Sequence, residues 1–417
     1  MVDRILVADL YGTAVLELRG RADRVAATVH ADALQRWGLG SRIVSVARPL
    51  IDRRFAPDEV VSRWFDNLLP EIGRPELAAT YATTTRLFDL LAVIGRDSAG
   101  ALVIRNIDEP HDAVIGSYRP VDLEGIAALV LDLARRPLGD DGRMRASLAG
   151  VQGKLMLAAG RDGDWQLPVD GAPSTHILKP EPLDVPFGSS ANEAVCTRLA
   201  RLCGLTPCES ELLTLPGGRL AFVTSRYDRR YDAAGSLERV HQEDMCQALD
   251  RAPGAKYEQP HESLLVRVAQ MLSRYATVAD VRRLLAQVTF HVAIGNADAH
   301  AKNVSILHPP DGSMQLAPVY DVANTVLEQA RSAALAMSIN GVTSIHEVTA
   351  DDLVAEARRW KVREPDARDV IERTLASVRE QLPRSAEGIW VPRDEDRLMS
   401  AIDDRTTRLL SGRSAGE

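Results

Sequence analysis

The polar run Ile294-Gly-Asn-Ala-Asp298-Ala-His300-Ala-Lys302-Asn303 gathers the side chains of this sequence best suited to chemistry. Asp298 precedes Asn303 by five positions, an interval used in phosphoryl transfer to set a proton-accepting carboxylate near an amide that holds magnesium. A second carboxylate, Asp321 in Pro318-Val-Tyr-Asp-Val, follows after a strand-like run, Val304-Ser-Ile-Leu307, and a Pro/Asp/Gly turn at Pro309-Pro-Asp-Gly312. Carboxylate and amide oxygens are the hard donors that magnesium takes. Phosphoryl transfer asks for positioning and charge neutralisation more than for covalent help. The same spacing also arises in ordinary polar loops, so the surrounding elements decide its meaning.

Upstream, Ser147-Leu-Ala-Gly150-Val-Gln-Gly153-Lys154 passes from a loop into an apolar run, and a turn at Gly160-Arg-Asp-Gly163 leads to a second run, Trp165-Gln-Leu-Pro-Val169. This predicts a hairpin with glycines at its entrance. Such glycines either form a plain turn or let backbone N–H groups approach phosphate oxygens, with Lys154 adding charge. The pattern is not a Walker motif. Thr175-His-Ile-Leu-Lys179-Pro reads as a short strand whose lysine is either a solvated edge charge or a phosphate partner. Residues 190–203 predict a helix stopped by Gly204. Ser190 and Glu193 have capping-box spacing there, so Glu193 either caps its own helix or pairs with Lys179. Residues 219–225 form an apolar strand running into Arg226, Tyr227 and Asp228.

At 417 residues the chain exceeds what one core usually serves, which predicts two or three domains. A hydrophobic fraction of 45% with 26% charged residues is that of a soluble globular protein. Apolar runs are too short to cross a bilayer, and Met-Val-Asp-Arg begins no signal core, so a cytoplasmic protein without membrane contact is expected. A net charge of −8 disfavours nonspecific adhesion to nucleic acid, leaving DNA contact local or supplied by a partner. Cys196, Cys203, Cys208 and Cys246 lack metal-site spacing and read as reduced thiols. Near the N-terminus, runs at 4–10 and 13–18 around Tyr11-Gly12 predict a hairpin, 57–67 and 87–94 predict helices, and 99–105 predicts a strand. None of these carries nucleophile or metal chemistry. A Pro/Gly/Asp cluster at 136–142 marks a boundary. From His241 onward helical patterns dominate, at 262–275, 278–295, 349–363, 364–382 and 395–410.

Taken in order, these motifs resemble the HipA family of bacterial toxin serine/threonine kinases over nearly the whole chain. The resemblance rests on Ser147 to Lys154, His176-Ile-Leu-Lys179-Pro, Asn192-Glu193, Ser225-Arg-Tyr-Asp-Arg229, His241-Gln-Glu-Asp-Met-Cys-Gln-Ala-Leu249, the run 294–303 and Tyr320-Asp321-Val. Trp64-Phe-Asp-Asn-Leu-Leu-Pro-Glu71 and Gly95-Arg-Asp-Ser-Ala-Gly100 extend it to the N-terminal part. It implies an α+β, two-lobed protein-kinase-like fold. Residues 1–108 would form a β-rich accessory subdomain, 109–230 an ATP-binding N-lobe and 231–417 a helical C-lobe.

The resemblance also implies roles. Asp298 would be the catalytic base, while Asn303 and Asp321 would hold Mg2+ on ATP. Lys179 would meet the phosphates, and Ala149, Gly150, Val151, Gln152, Gly153 and Lys154 would cover the nucleotide. The backbone of Ser225, Arg226 and Tyr227 would face the adenine, with His300 and Lys302 also on the nucleotide side. Ser147 matches an autophosphorylated serine whose added charge would expel the loop and switch the kinase off. Gly153 and Ser225 depart from the family pattern, which has acidic residues there. Implied partners are a protein substrate, for which an aminoacyl-tRNA synthetase is one class, and a dimeric helix-turn-helix antitoxin that carries the complex to operator DNA. A small-molecule phosphotransferase and a catalytically silent, antitoxin-binding co-repressor are the alternatives.

Overall fold

In a computed structural model, the described residues are 4–109, 116–133, 153–160, 163–183, 188–233, 235–328, 333–389 and 395–416. Tyr11 and Gly12 both take positive φ, 49° and 75°. Positive φ at both central residues is the hairpin geometry that matches strand twist, and it folds β1 (Ile5–Leu10) onto β2 (Thr13–Arg21). With β3 (Arg24–Val29) and β4 (Val103–Asn106) they make an antiparallel sheet of order β3-β2-β1-β4. Around it lie α1 (Ala31–Trp37), α2 (Asp58–Asp66), α3 (Arg74–Thr80) and α4 (Leu87–Ile94). In α2, Val61, Trp64 and Phe65 fall on one face at helical spacing and are buried. The sequence reading omitted β3, because the alanines in Arg24-Val-Ala-Ala-Thr-Val29 blunt its apolar alternation.

A second sheet has the order β5-β7-β6-β8-β10-β9. Its strands are β5 (Ser117–Pro120), β6 (Leu155–Ala159), β7 (Trp165–Val169), β8 (His176–Pro180), β9 (Ser210–Thr214) and β10 (Leu220–Ser225), all paired antiparallel. Two helices accompany it, α5 (Leu123–Asp132) and α6 (Ser189–Leu202). Side chains alternate across a strand. Accordingly Ala221 and Val223 join the apolar cluster of the first sheet, with Leu6 and Leu18, while Phe222 joins the cluster of the helical part, with Ala194 and Val195. The first hundred residues therefore share a core with the second sheet rather than standing apart.

The remaining chain supplies β11 (Arg229–Tyr231), β12 (Leu237–Arg239), β13 (His241–Asp244), α7 (Met245–Ala248), α8 (Leu264–Tyr275) and α9 (Val278–Ile294). After them come β14 (Ser305–His308), β15 (Gln315–Leu316), β16 (Ala334–Ile339), β17 (Val342–Ser344), α10 (Ala350–Arg359), α11 (Glu364–Ser385) and α12 (Glu395–Leu410). The architecture is α+β, strand-rich first and helix-rich later. The strands β13, β14 and β15 form a small sheet inside a region that the sequence presents as mainly helical; β14 matches the strand-like run at Val304–Leu307, while β13 and β15 are too short to carry a readable alternation. Helix α9 starts with a Thr277–Asp280 capping box, packs against α8, α11 and α12, and ends at Gly295 with φ 76°. A side chain at Gly295 would be strained by that φ and would meet Asn324 Oδ1 at 2.9 Å.

The first sheet's helices and the small sheet meet over buried Glu243. It accepts from Val46 N at 2.6 Å, Ser45 Oγ at 2.7 Å and Trp64 Nε1 at 3.1 Å, and lies 3.1 Å from His308 Nε2. Burial favours its protonation, but these donors win and hold the carboxyl below its ordinary value. Among the described residues, no helix is long and apolar enough to cross a membrane.

Candidate active site

A cavity of about 740 Å³ is lined from the second sheet by Lys154 and Lys179, from α6 by Glu193, and from the helical part by Asp298, Asn303 and Asp321. Lys179 stands opposite Phe222 in the β8/β10 register and is 9% exposed, so the solvated-edge reading fails. Its Nζ donates to Glu193 Oε1 at 2.5 Å and also bonds Asp321 Oδ1. The capping-box reading of Ser190 and Glu193 fails as well. Helix α6 begins after Gly188 without a side-chain cap of its own. Instead Glu181, just past β8, accepts from Ser189 N at 2.8 Å and Ser190 N at 2.7 Å. That anchors the helix start and leaves Glu193 to the lysine.

The charges of this cluster shift one another. Burial alone would lower the Lys179 pKa, but the Asp321 and Glu193 carboxylates outweigh it and raise it above the ordinary lysine value. The Lys179 ammonium holds the Asp321 carboxyl well below the usual carboxylate range. Burial lifts Glu193 to about 7 against the pull of Lys179. Lys154 is pushed down to about 8 by burial and by Lys179. Both lysines thus favour an anionic group in the cavity, Lys154 in a pH-dependent way.

Asp298 sits on the loop that leaves α9. Its N–H donates to Asn296 Oδ1 at 3.1 Å, and its carbonyl accepts from His300 N at 2.8 Å and Asn303 Nδ2 at 3.4 Å. The loop is braced against the segment after Asp321: Ala297 N donates to Thr325 Oγ1 at 2.9 Å. That segment is in turn locked to α6 through Asn324, whose N–H donates to Asn192 Oδ1 at 2.9 Å and whose carbonyl accepts from Asn192 Nδ2 at 3.1 Å. Asp321 itself has φ 56°, a conformation costly for a non-glycine residue and common where function imposes it. Among the described residues no group of three His, Cys, Asp or Glu side chains could hold a metal. Magnesium on a nucleotide does not require one, because it takes one or two protein oxygens and completes its shell with phosphate and water. The Asp321 carboxylate fits that demand, and so does Asn303, whose amide nitrogen is committed to the Asp298 carbonyl and whose oxygen remains as its donor atom for a metal.

Other predicted residues are sorted by their contacts. Ser225 pairs with Glu209 through both its N–H and its Oγ, each at 2.9 Å, at the end of β10. The Arg226 guanidinium does not face a nucleotide. It is buried against Asp228 at 2.8 and 2.9 Å, Ser174 Oγ at 2.8 Å and Ser98 O at 2.9 Å, which leaves the backbone as the part of Arg226 that the expectation concerns. Tyr227 bonds Gln242 through its hydroxyl and stacks at 5.1 Å on Tyr320. The Lys302 ammonium is also committed elsewhere, to Asn67 Oδ1 and Asp244 Oδ2, both at 2.8 Å, because a buried charge needs compensation: Asp244 at the end of β13 supplies the charge and Asn67 a further acceptor. His300 is buried beside the loop, and burial lowers its pKa against the opposing pull of Asp298. Gly153 is exposed just ahead of β6. Ser147, Ala149, Gly150, Val151 and Gln152 lie outside the described residues.

The sequence reading missed the contribution of the N-terminal part. Asn67, Leu68 and Glu71 line the same cavity, and Tyr257 lies at its opening with its hydroxyl on Asp298. The run Trp64–Glu71 carries part of the family resemblance, but nothing local in it, or around Tyr257, points to the cavity, since each of these residues meets the site only through long-range packing.

The family model of the HipA-like C-terminal domain matches residues 146–382, and that of the HipA N-terminal domain matches residues 9–105. The chain belongs to the HipA family. Among its relatives, "Putative kinase Y4mE" of Sinorhizobium fredii is 37% identical over 334 residues, 78% of each chain. The "Serine/threonine-protein kinase toxin HipA" of Shewanella oneidensis is 28% identical over 372 residues, 84% of this chain and 82% of the relative. Its fold is likewise similar to a solved HipA-family structure. The HipA chain in the Shewanella oneidensis complex of HipA, HipB and operator DNA superposes with a TM-score of 0.78 at 25% identity, covering 97% of this chain and 96% of that one.

Proposed function

We propose that this HipA-family chain is an ATP- and magnesium-dependent protein serine/threonine kinase. The observation that carries the reading is the Lys179 ammonium bridging Glu193 and Asp321 in the cavity that also holds Asp298 and Asn303. Lys179 and Lys154 would bind the nucleotide phosphates, and the backbone at Ser225 to Tyr227 would meet the base. Asp321 and Asn303 would hold magnesium, which would supply charge neutralisation between the phosphates. Asp298 would accept the proton of the acceptor hydroxyl as the hydroxyl oxygen bonds the γ-phosphorus and the bond to the bridging oxygen breaks, releasing the nucleoside diphosphate. The reading assigns residues 1–108 to an accessory subdomain, 109–230 to the nucleotide lobe and 231–417 to the catalytic lobe.

The relatives' names and the HipB-bound structure support placing the chain as the toxin of a cytoplasmic toxin–antitoxin pair. It would bind a dimeric helix-turn-helix antitoxin, reach operator DNA mainly through it, and phosphorylate a cellular protein to arrest growth. An aminoacyl-tRNA synthetase is one substrate class, and phosphate on Ser147 would switch the kinase off. Asp298→Ala and Asp321→Ala test the core of the reading. Each is expected to abolish transfer of labelled γ-phosphate while leaving the melting temperature nearly unchanged, and normal transfer by either variant would refute it.

A further inference from the structure

Tyr257 belongs to none of the motifs above, lies 41 positions from Asp298 in sequence, and yet its hydroxyl donates to Asp298 Oδ1 at 3.0 Å. Its ring meets the edge of His300 at 5.4 Å and 86°. Such a contact on a partly exposed side chain could be incidental were the segment loose. The segment is pinned on every side instead. The Lys256 carbonyl accepts from Ala301 N at 3.0 Å, inside the loop that carries Asp298 and Asn303. The Tyr257 carbonyl accepts from Arg251 Nη2 at 2.9 Å and from Gln259 Nε2 at 3.1 Å. Glu258 N donates to Ala336 O at 2.9 Å, and Ala336 N donates to Ala297 O at 2.8 Å, which returns the brace to the same loop. From the N-terminal part, Glu71 Oε2 holds Lys256 Nζ at 2.9 Å.

We infer that Tyr257 is a positioning residue for the base: its hydroxyl, donating to Oδ1, holds the Asp298 carboxylate in the orientation in which it meets the acceptor hydroxyl. A carboxylate has two oxygens and needs only one to take a proton, and a general base is effective only when held within hydrogen-bond reach of that proton. The aspartate has few rotatable bonds, so a single donor on Oδ1 suffices to orient it. The pinned backbone of 256–258 makes the donor a fixture of the fold rather than a mobile cover.

The inference rests on Asp298 being the base, and the experiment separates the two claims. Steady-state phosphotransfer to an acceptor protein is measured for the wild type and for Tyr257→Phe, with nucleotide affinity by calorimetry, melting temperature, and phosphosite mapping by mass spectrometry. No transfer by the wild type would refute the functional reading itself. With an active wild type, the inference expects kcat to fall roughly tenfold or more in Tyr257→Phe, the scale of one hydrogen bond to a charged group. Acceptor KM, nucleotide affinity and melting temperature should stay close to wild type. An unchanged kcat, a change confined to KM, or phosphate found on Tyr257 itself would each overturn it, the last because the hydroxyl would then be an acceptor.

Discussion

Two charge clusters border the cavity, and they are built to opposite rules. Behind the strand end at Ser225, Asp97, Arg226, Asp228 and Arg229 have side chains only 1–3% exposed. Asp97 accepts from Ser174 N and Oγ at 2.9 and 2.7 Å and from Arg229 at 2.8 Å, while Asp228 accepts from Gly100 N at 2.7 Å. Burial opposes ionisation of both carboxyls, but the arginines prevail and hold them below the ordinary range. In the cavity, Lys179 and Glu193 are 11% exposed and Asp321 is 47% exposed, with Asp298 nearby and Lys179 shared between two carboxylates. The first cluster is dry, each of its carboxylates compensated by arginines, and holds elements together. The second is open to water and rich in acid, and so able to exchange a protein contact for a metal or a phosphate. Charged residues that look alike in sequence thus divide into structural and chemical by whether their charges are already compensated.

The sharpest way to break this contrast is to delete a carboxylate from each cluster. Asp298→Ala or Asp321→Ala should reduce phosphotransfer about 10²–10⁴-fold, as measured with labelled nucleotide, with little change in unfolding. Asp97→Ala should do the reverse. It strands the buried arginines and should cost about 3–5 kcal/mol in urea unfolding, with activity falling only in proportion to the folded fraction. If Asp97→Ala unfolds like wild type, the first cluster is not the clamp described.

A smaller effect is expected from Lys154. It is charged below its pKa of about 8 and neutral above it. Nucleotide affinity should therefore weaken from pH 7 to pH 9, by at most about tenfold per pH unit for a single proton. Calorimetry at both pH values would show the slope, and Lys154→Met should flatten it. The smallest effect should come from Ser225→Ala, which removes only the hydroxyl that accepts from Glu209 N and leaves the β10 backbone in place. Nucleotide affinity should stay within about twofold, the scale of a substitution away from critical contacts.

Much of the fold was legible because it is written locally. The Tyr11-Gly12 hairpin, α2, α6 and the long helices α8 to α12 follow from turn chemistry and apolar periodicity, and each lies near its predicted span. The run at Val304–Leu307 foretold β14, whereas the short strands β13 and β15 escaped because two to four residues hold no period. The site divides in the same way. Asp298, Asn303 and Asp321 stood out because one loop and one turn place all three, so their spacing survives in the chain.

Glu193 shows the limit. Its spacing from Ser190 spelled a cap, yet Glu181, eight residues before the helix, took that task. Lys302 likewise carried a charge suited to a nucleotide and was committed instead to Asn67 and Asp244. The sequence by itself determined which residues could do chemistry and which elements would carry them, since both depend on side-chain type and local period. Only the tertiary structure decided which charges face the cavity and which are compensated in the core, and that Tyr257 and Glu71 would join the former. Compensation is a matter of distance between segments far apart in the chain, which no local pattern records.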